Sequence, residues 1–141
     1  SVMRRVWELC PVVQVGIRSF SLEESEFLAT QARQPFYGDG EGWGEDAMEQ
    51  VTRALSPDIY ITIDVDVFDP SVMAAVGNPE PGGVGWYPMI RLLRTVAGQR
   101  RIVGFDVVEL CPREGPVACA FLAAKLAYKL MGYAVAAETS A

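Results

Sequence analysis

Short β-branched runs alternate with helix-forming segments along this chain, and this alternation constrains the fold more than any other feature of the sequence. The β-branched runs predict three buried strands, at residues 12–17, 58–65 and 102–110. Helices are predicted at residues 1–9, from Ser21 onwards, and at residues 45–55, 87–97 and 117–131. Strands separated by helices of roughly ten residues form βαβ units. We therefore expect an α/β protein with a three-layer α/β/α arrangement and a mostly parallel sheet.

Capping and breaking residues predict where several of these helices begin and end. Ser21, followed three residues later by Glu24, matches the capping box that starts a helix. Gly98 and Gly132 directly follow helical patterns, where glycine is favoured because it adopts left-handed backbone conformations. The glycine-punctuated stretch at residues 37–44 is predicted to be a loop.

The charge balance restricts the kinds of partner that this chain can bind. With 18 acidic and 12 basic residues, it carries a net charge of -6. Binding to a nucleic-acid backbone needs a basic surface, so we expect no nucleic-acid partner. We also expect no membrane partner, because no apolar run is expected to reach the roughly 20 residues of a membrane span. A small cationic molecule or a metal ion fits the negative charge better.

The cysteines bear on the redox compartment. Cys10, Cys111 and Cys119 are widely spaced and include no Cys-x-x-Cys pair. This spacing indicates neither a zinc knuckle nor a disulfide framework. We therefore expect reduced thiols and a cytoplasmic location.

The strongest chemical signal is the pair Asp64 and Asp66 at the end of the second predicted strand. In parallel sheets the ligand site lies beyond the carboxyl ends of the strands, and alternate residues of a strand face the same way. No arginine or lysine lies between Ala54 and Ile90 to neutralise the two carboxylates. A divalent metal with oxygen ligands would do so, and carboxylates suit magnesium or manganese.

Two other interpretations of this pair stay open at this point. In the simplest one, Asp64 caps a turn while Asp66 and Asp69 lie in solvent. In the other, the chain is a phosphatase of the haloacid-dehalogenase type, with Asp64 as nucleophile and Asp66 as general acid. That enzyme also needs a lysine at a strand end, whereas Lys125 and Lys129 both fall within the last predicted helix.

Three segments together resemble the arginase/agmatinase family of ureohydrolases. Residues 62–70 (TIDVDVFDP) and 77–83 (GNPEPGG) resemble a family signature that runs from Ser/Thr through Asp-x-Asp and Asp-Pro to a Gly-Gly loop. Residues 13–19 (VQVGIRS) resemble the preceding strand of the family, and residues 106–112 (DVVELCP) its last strand. The resemblance is closest to the agmatinase branch. It implies that residues 1–141 are the C-terminal portion of a single arginase-like α/β/α domain.

The resemblance also implies roles for individual residues. It makes Asp64 and Asp66 ligands of a binuclear manganese site, and Glu109 the catalytic and substrate-binding carboxylate that holds the substrate's guanidinium. A guanidinium stays protonated and pairs with a carboxylate through parallel hydrogen bonds. Asn78, in place of the family's commoner threonine, is expected near the substrate. The implied reaction is hydrolysis of a linear guanidino compound by a metal-bridging hydroxide, with agmatine giving putrescine and urea.

The sequence departs from the family pattern in its metal ligands. The family uses further ligands, including histidines, from motifs upstream of this region, and this sequence contains no histidine. We therefore expect the remaining ligands to come from a segment outside it; a non-catalytic relative or subunit is the alternative.

Three further expectations accompany the resemblance. Since family members form trimers or hexamers, a homo-oligomer is expected. Asp106 is interpreted as structural. Arg18 and Ser19, at the end of the first predicted strand, could line the cleft, contact another subunit or lie on the surface.

Overall fold

Helices and short strands alternate along the part of the chain that the computed structural model describes, which is residues 2–31, 35–37 and 43–138. The elements in chain order are α1 Val2–Trp7, β1 Val15–Ile17, α2 Leu22–Ala29, β2 Phe36–Tyr37, α3 Glu45–Ala54, β3 Asp58–Asp64, α4 Trp86–Ala97, β4 Arg101–Val108 and α5 Val117–Glu138. A single 3₁₀ turn, Val65–Val67, directly follows β3. The predicted α/β character is confirmed.

All strand pairs within the described residues are parallel. β1 pairs with β2, and β3 pairs with β4 in a register that runs from Asp58 opposite Arg101 to Asp64 opposite Val108. The predicted parallel pairing is therefore confirmed. Because paired parallel strands point the same way, the carboxyl ends of β3 and β4 lie side by side, which is where a ligand site is expected.

The core lies against one face of the β3–β4 pair. Alternate residues of β3 are buried, among them Ile59 and Ile63, while Tyr60 on the other face is exposed. Helices α3, α4 and α5 contribute buried side chains to the same cluster: Met48, Val51, Met89, Leu92, Leu93, Val96, Cys119, Ala123, Leu126 and Leu130. The core thus fixes the two strands that carry the candidate site.

Asp106 lies on the exposed face of β4 and is tied to β3 by two hydrogen bonds. The hydroxyl of Tyr60 donates to Oδ2 of Asp106 at 2.9 Å, and that of Thr62 donates to Oδ1 at 2.6 Å. Gly104 makes room for the Tyr60 ring, since a Cβ there would lie 2.9 Å from it. These contacts agree with the structural role predicted for Asp106.

Local signals predicted the start of α2 correctly and the end of α5 wrongly. The capping box is confirmed, because Ser21 Oγ accepts the N–H of Glu24 and the Glu24 carboxylate accepts the N–H of Ser21. Gly132, however, lies inside α5, which continues to Glu138. The alanines that follow Gly132 favour helix strongly enough to continue through one glycine.

The expectation that no apolar run is long enough to cross a membrane was wrong. Among the described residues, α5 has this length and composition over Val117–Ala136, with a mean hydropathy of 1.3 and 22% of that window buried. Lys125 and Lys129 interrupt the run, but the surrounding alanines and leucines keep the average high. One side of α5 is buried through Leu126 and Leu130. Length and composition alone are weak evidence for membrane insertion, because a core helix passes the same test.

One loop prediction and one strand prediction near β1 need correction. Tyr37, predicted to begin a loop, belongs to the two-residue strand β2, which is too short to show a period in the sequence. The remainder of that loop prediction includes residues 38–42, which lie outside the described residues. β1 begins at Val15 rather than at residue 12, although the carbonyl of Gln14 already accepts the N–H of Phe36 at 2.8 Å.

The cysteines form no disulfide. Cys10 is exposed, Cys111 is partly buried and Cys119 is buried, and all three are free thiols. This arrangement agrees with the sequence-based expectation of no disulfide framework.

Candidate functional site

Asp64 ends strand β3 and organises the turn that follows. Its Oδ1 accepts the backbone N–H of Asp66 at 2.9 Å, so the side chain caps the 3₁₀ turn Val65–Val67. The strand therefore ends at Asp64, one residue before the predicted end at residue 65, and Asp66 lies in the turn rather than in line with the strand. An aspartate side chain that bonds the backbone two residues onward competes with the strand ladder and ends it.

The carboxylate of Asp66 contains an unpaired buried oxygen. Its Oδ1 is buried and has no hydrogen-bond partner among the described residues. A buried oxygen without a donor is destabilising by about 1–3 kcal/mol, more when charged, unless a cation or another donor reaches it. Together with Asp64, this provides hard oxygen ligands of the kind that manganese and magnesium accept. The two aspartates therefore fit as part of a metal site.

Glu109 follows β4 directly and has an unusual backbone. Its φ is 65°, and it is the single non-glycine residue with a positive φ in the described part of the chain. Such a conformation is destabilising for a residue with a Cβ, and strain of this kind clusters at functional sites. The β3–β4 register places Val108 opposite Asp64, so Glu109 follows the strand at the same edge.

The carboxylates of Asp66 and Glu109 affect the pKa of Asp64. Partial desolvation raises the pKa of Asp64, and the neighbouring carboxylates of Asp66 and Glu109 raise it further. The N–H of Asp66 and the guanidinium of Arg18 act in the opposite direction and lower that pKa. Neighbouring carboxylates repel one another, and a bound cation removes the repulsion.

The ligand set within the described residues is incomplete. In residues 2–31, 35–37 and 43–138, no three His, Cys, Asp or Glu side chains lie together in a way that could hold a metal ion. Histidine is absent from the full sequence. Asp64 and Asp66 alone could therefore supply only part of a metal site, and their role as ligands stays a prediction.

Asp69 closes the loop that contains Asn78. The carboxylate of Asp69 accepts the backbone N–H and the hydroxyl of Ser71, and it also accepts the N–H of Gly82 at 3.0 Å. These bonds join the two ends of the loop. Asn78 itself is exposed, and its carbonyl accepts the N–H of Glu80 at 2.8 Å. Its predicted contact with substrate stays a prediction.

The same loop is joined to the segment after Glu109. Val76 and Leu110 form an isolated antiparallel bridge, and the N–H of Cys111 donates to the carbonyl of Ala75 at 2.8 Å. The loop after Asp69 and the segment that follows Glu109 therefore belong to one hydrogen-bonded unit.

Arg18 is the residue whose role the sequence did not reveal. Its Nη2 donates to the carbonyl of Asp66 at 2.7 Å and to that of Glu80 at 2.8 Å. No lysine or arginine lies between Ala54 and Ile90, so the positive charge near Asp64 and Asp66 is supplied by Arg18, directly after β1. In the sequence, only the position of Arg18 directly after a predicted strand indicated a role at the site. Ser19, the next residue, is exposed.

The phosphatase interpretation has no support in the placement of the lysines. Lys125 and Lys129 lie within α5, and the Nζ atom of Lys125 lies 5.5 Å from the ring centroid of Tyr128. Neither lysine lies at a strand end, where that chemistry needs one.

Comparison with known proteins gives a consistent result. The model of the arginase family matches residues 1–132. The N(1)-aminopropylagmatine ureohydrolase of Synechocystis sp. is 39% identical over 137 residues, which cover 94% of this chain and 44% of that protein. The agmatinase of Pyrococcus horikoshii is 30% identical over 132 residues, which cover 93% of this chain and 46% of that protein.

A solved structure supports the same conclusion. The agmatine ureohydrolase of Thermoplasma volcanium superposes with a TM-score of 0.76 at 28% identity, over 94% of this chain and 46% of that one. The predicted arginase-like α/β fold is thereby confirmed. The chain spans less than half the length of these relatives. Since the family match extends over residues 1–132, the chain belongs to the arginase family.

Proposed function

We propose that this chain supplies one part of a ureohydrolase active site, which hydrolyses a linear guanidino compound to urea and an amine. The observation that carries the proposal is the position of Asp64, Asp66 and Glu109 at the carboxyl ends of two paired parallel strands, near enough that Asp66 and Glu109 both raise the pKa of Asp64. Membership of the arginase family supports the same chemistry. The net charge of -6 agrees with a cationic substrate.

In this proposal Asp64 and Asp66 hold manganese, on which the arginase family generally depends. When bound, a pair of manganese ions lowers the pKa of water and so supplies the nucleophile for hydrolysis. The unpaired buried Oδ1 of Asp66 supports this role, because a metal ion would satisfy it. The remaining ligands come from a segment outside the described residues.

Glu109 holds the guanidinium of the substrate. A carboxylate pairs with a guanidinium through two parallel hydrogen bonds, which fix both the distance and the plane of the carbon to be attacked. The backbone strain at Glu109 supports this role, since residues held in strained conformations cluster at functional sites.

The substrate we propose is agmatine or an aminopropyl derivative of it. Two relatives described above carry the names N(1)-aminopropylagmatine ureohydrolase and agmatinase. Asn78 is exposed in the loop that Asp69 closes, where its amide could hydrogen-bond the substrate tail. A cytoplasmic location and a homo-oligomeric assembly, expected from the sequence, stay predictions.

The test is urea release in the presence of manganese from agmatine, N(1)-aminopropylagmatine, arginine and 4-guanidinobutyrate. We expect urea from one of the first two with the native protein, and much less from Glu109→Gln. Glu26→Gln, an exposed helical position with the same change of charge, is the matched control. Native protein that binds manganese but releases no urea from any of the four would refute the proposed reaction. It would favour a non-catalytic relative.

A further inference from the structure

We propose that Arg18 is a positioning residue, an inference that rests on the proposed function. It holds two segments in one fixed arrangement: the metal-ligand turn, which is Val65–Val67, and the substrate loop, which runs from Asp69 to Gly82 and contains Asn78. Its guanidinium donates to carbonyl oxygens on both segments. Nη2 reaches Asp66 at 2.7 Å and Glu80 at 2.8 Å, while Nη1 reaches Val67 at 3.4 Å. Nη2 also lies 3.5 Å from the carbonyl of Phe68.

The convergence of these carbonyls explains why arginine occupies the position. A guanidinium is planar and presents several N–H groups in fixed directions, whereas a lysine ammonium is a compact charge on a flexible stem. The two short bonds both come from Nη2, whose two N–H groups point in fixed directions within the guanidinium plane, while the contacts to Val67 and Phe68 are longer, at 3.4 and 3.5 Å. The fixed directions of these N–H groups therefore favour arginine over lysine at this position.

The packing of β1 fixes the position of the Arg18 backbone. Gly16 has a φ of 82°, and a Cβ there would lie 2.5 Å from Cγ2 of Val67 and 3.5 Å from the Trp43 ring. The end of β1 therefore packs directly on the 3₁₀ turn that carries Asp66. Because β1 lies this close to the turn, the position of the Arg18 backbone relative to the turn is fixed.

Arg18 and Asp69 hold the substrate loop from two sides. Arg18 binds the carbonyl of Glu80, and Asp69 accepts the N–H of Gly82 two residues later. Arg18 contacts Asp66 through its carbonyl and not through its carboxylate, so the carboxylate stays available to a metal. Removing the guanidinium should release both the turn and the loop while leaving the ligand carboxylates chemically intact.

The test compares Arg18→Lys and Arg18→Met with Arg53→Met. Arg53 is an exposed arginine on α3 that pairs with Glu49, so its loss changes the net charge by the same amount as the loss of Arg18. The first measurement is hydrogen exchange of single amides by NMR on the protein without added metal. The N–H groups of Asp66 and Gly82 report on the turn and the loop, and those of β3 report on global opening.

We expect exchange at Asp66 and Gly82 to become about tenfold faster or more in both Arg18 variants, with β3 unchanged. Arg53→Met should change neither. Equal acceleration in β3 would show that Arg18 serves general stability only, and unchanged exchange at Asp66 and Gly82 would also overturn the proposal.

The second measurement is manganese affinity, with kcat and KM where urea is released. Residues that orient metal ligands typically change metal affinity or activity by about 10–100-fold, so we expect a loss in that range for both Arg18 variants. Normal manganese affinity in Arg18→Lys would contradict the requirement for a planar guanidinium. The exchange measurement needs neither metal nor substrate. It therefore tests the positioning role of Arg18 even if the proposed reaction is wrong. Normal urea release from Arg18→Met would refute this role and leave the proposed reaction standing.

Discussion

The Oδ1 atom of Asp64 lies 2.9 Å from the backbone nitrogen of Asp66, and this one hydrogen bond sets the geometry of both acids. It turns the chain out of β3 and moves Asp66 into the 3₁₀ turn, where its own carboxylate is partly buried. Asp64 is therefore both a cap for the turn and a candidate metal ligand. The two roles can be separated, because asparagine keeps the acceptor oxygen and loses the charge.

Asp64→Asn and Asp64→Ala should differ in stability but not in metal binding. Asparagine still accepts the N–H of Asp66, whereas alanine loses the cap, a change that typically destabilises by about 1 kcal/mol. We expect manganese affinity to fall at least tenfold in both variants. The measurements are denaturant unfolding and manganese titration. If Asp64→Asn retained native manganese affinity, Asp64 would be a cap and not a ligand.

Glu109 should show opposite effects on stability and on substrate binding. Glycine adopts a φ of 65° without a clash, so Glu109→Gly should relieve strain and stabilise the fold by about 0.5–1 kcal/mol. The same variant loses the carboxylate, so KM for the guanidino substrate should rise strongly. Glu109→Ala is the control, since it removes the carboxylate but keeps the Cβ. Lower stability of Glu109→Gly than of Glu109→Ala would show that the backbone of Glu109 is not strained, because glycine loses more conformational entropy on folding.

Features set by local chemistry were predictable from the sequence. The capping box of Ser21 and Glu24 needs only residues three positions apart, and the hydrophobic alternation of β3 shows which of its residues are buried. Glu109 was located at the end of β4 because a β-branched run precedes it. In each case the residue pattern that predicts the structure lies within the segment itself.

Features set by distant contacts were not predictable. Val65 continues the β-branched pattern of β3, and only the Asp64 side chain ends the strand before it. Arg18 contacts residues 48 to 62 positions later, and nothing in a local pattern indicates such a contact. The two-residue strand β2 exists because it pairs with β1, so its own sequence carries no period.

Asp69 gives the site a predictable dependence on pH. Hydrogen bonds from Ser71 to its carboxylate hold the pKa of Asp69 below its ordinary value, and the N–H groups of Gly82 and Gly83 lower it further. A lowered folded-state pKa means that the stabilisation is fully present above about pH 3.9, the ordinary value for aspartate. It is lost as the pH falls through the folded-state pKa.

Asp69→Asn should therefore flatten the fall in stability at acid pH. The measurement is denaturant unfolding of both proteins across the acidic range down to about pH 2. We expect the difference in stability between wild type and Asp69→Asn to shrink as the pH falls below the ordinary aspartate value. Asp58→Asn provides a comparison outside the site, because Arg101 lowers the pKa of Asp58 by a hydrogen bond and by its charge. A difference between wild type and Asp69→Asn that stays constant with pH would contradict the role given to the Asp69 charge.

Gly83 and Gly77 belong to the same loop and should respond oppositely to alanine. A Cβ on Gly83 would lie 2.3 Å from the backbone nitrogen of Asp69 and 2.5 Å from the carbonyl oxygen of Phe68, both of which are backbone atoms that cannot rotate away. A Cβ on Gly77 would meet nothing within 4 Å. We therefore expect Gly83→Ala to destabilise the fold by about 1–3 kcal/mol or more, as overpacking does. Gly77→Ala should change stability by no more than about 0.5 kcal/mol, as is usual for surface substitutions.

Gly83→Ala and Gly77→Ala should also differ in their effect on the proposed reaction. Because Gly83 follows the Gly82 amide that Asp69 accepts, displacement at Gly83 should move the loop that carries Asn78. We expect Gly83→Ala to raise KM for the guanidino substrate at temperatures where the protein is still folded, while Gly77→Ala leaves the fold intact. Unfolding curves and steady-state kinetics on the two variants check both statements. Equal unfolding midpoints would show that the loop accommodates a Cβ against the Asp69 backbone, and that its position is not fixed by this close approach.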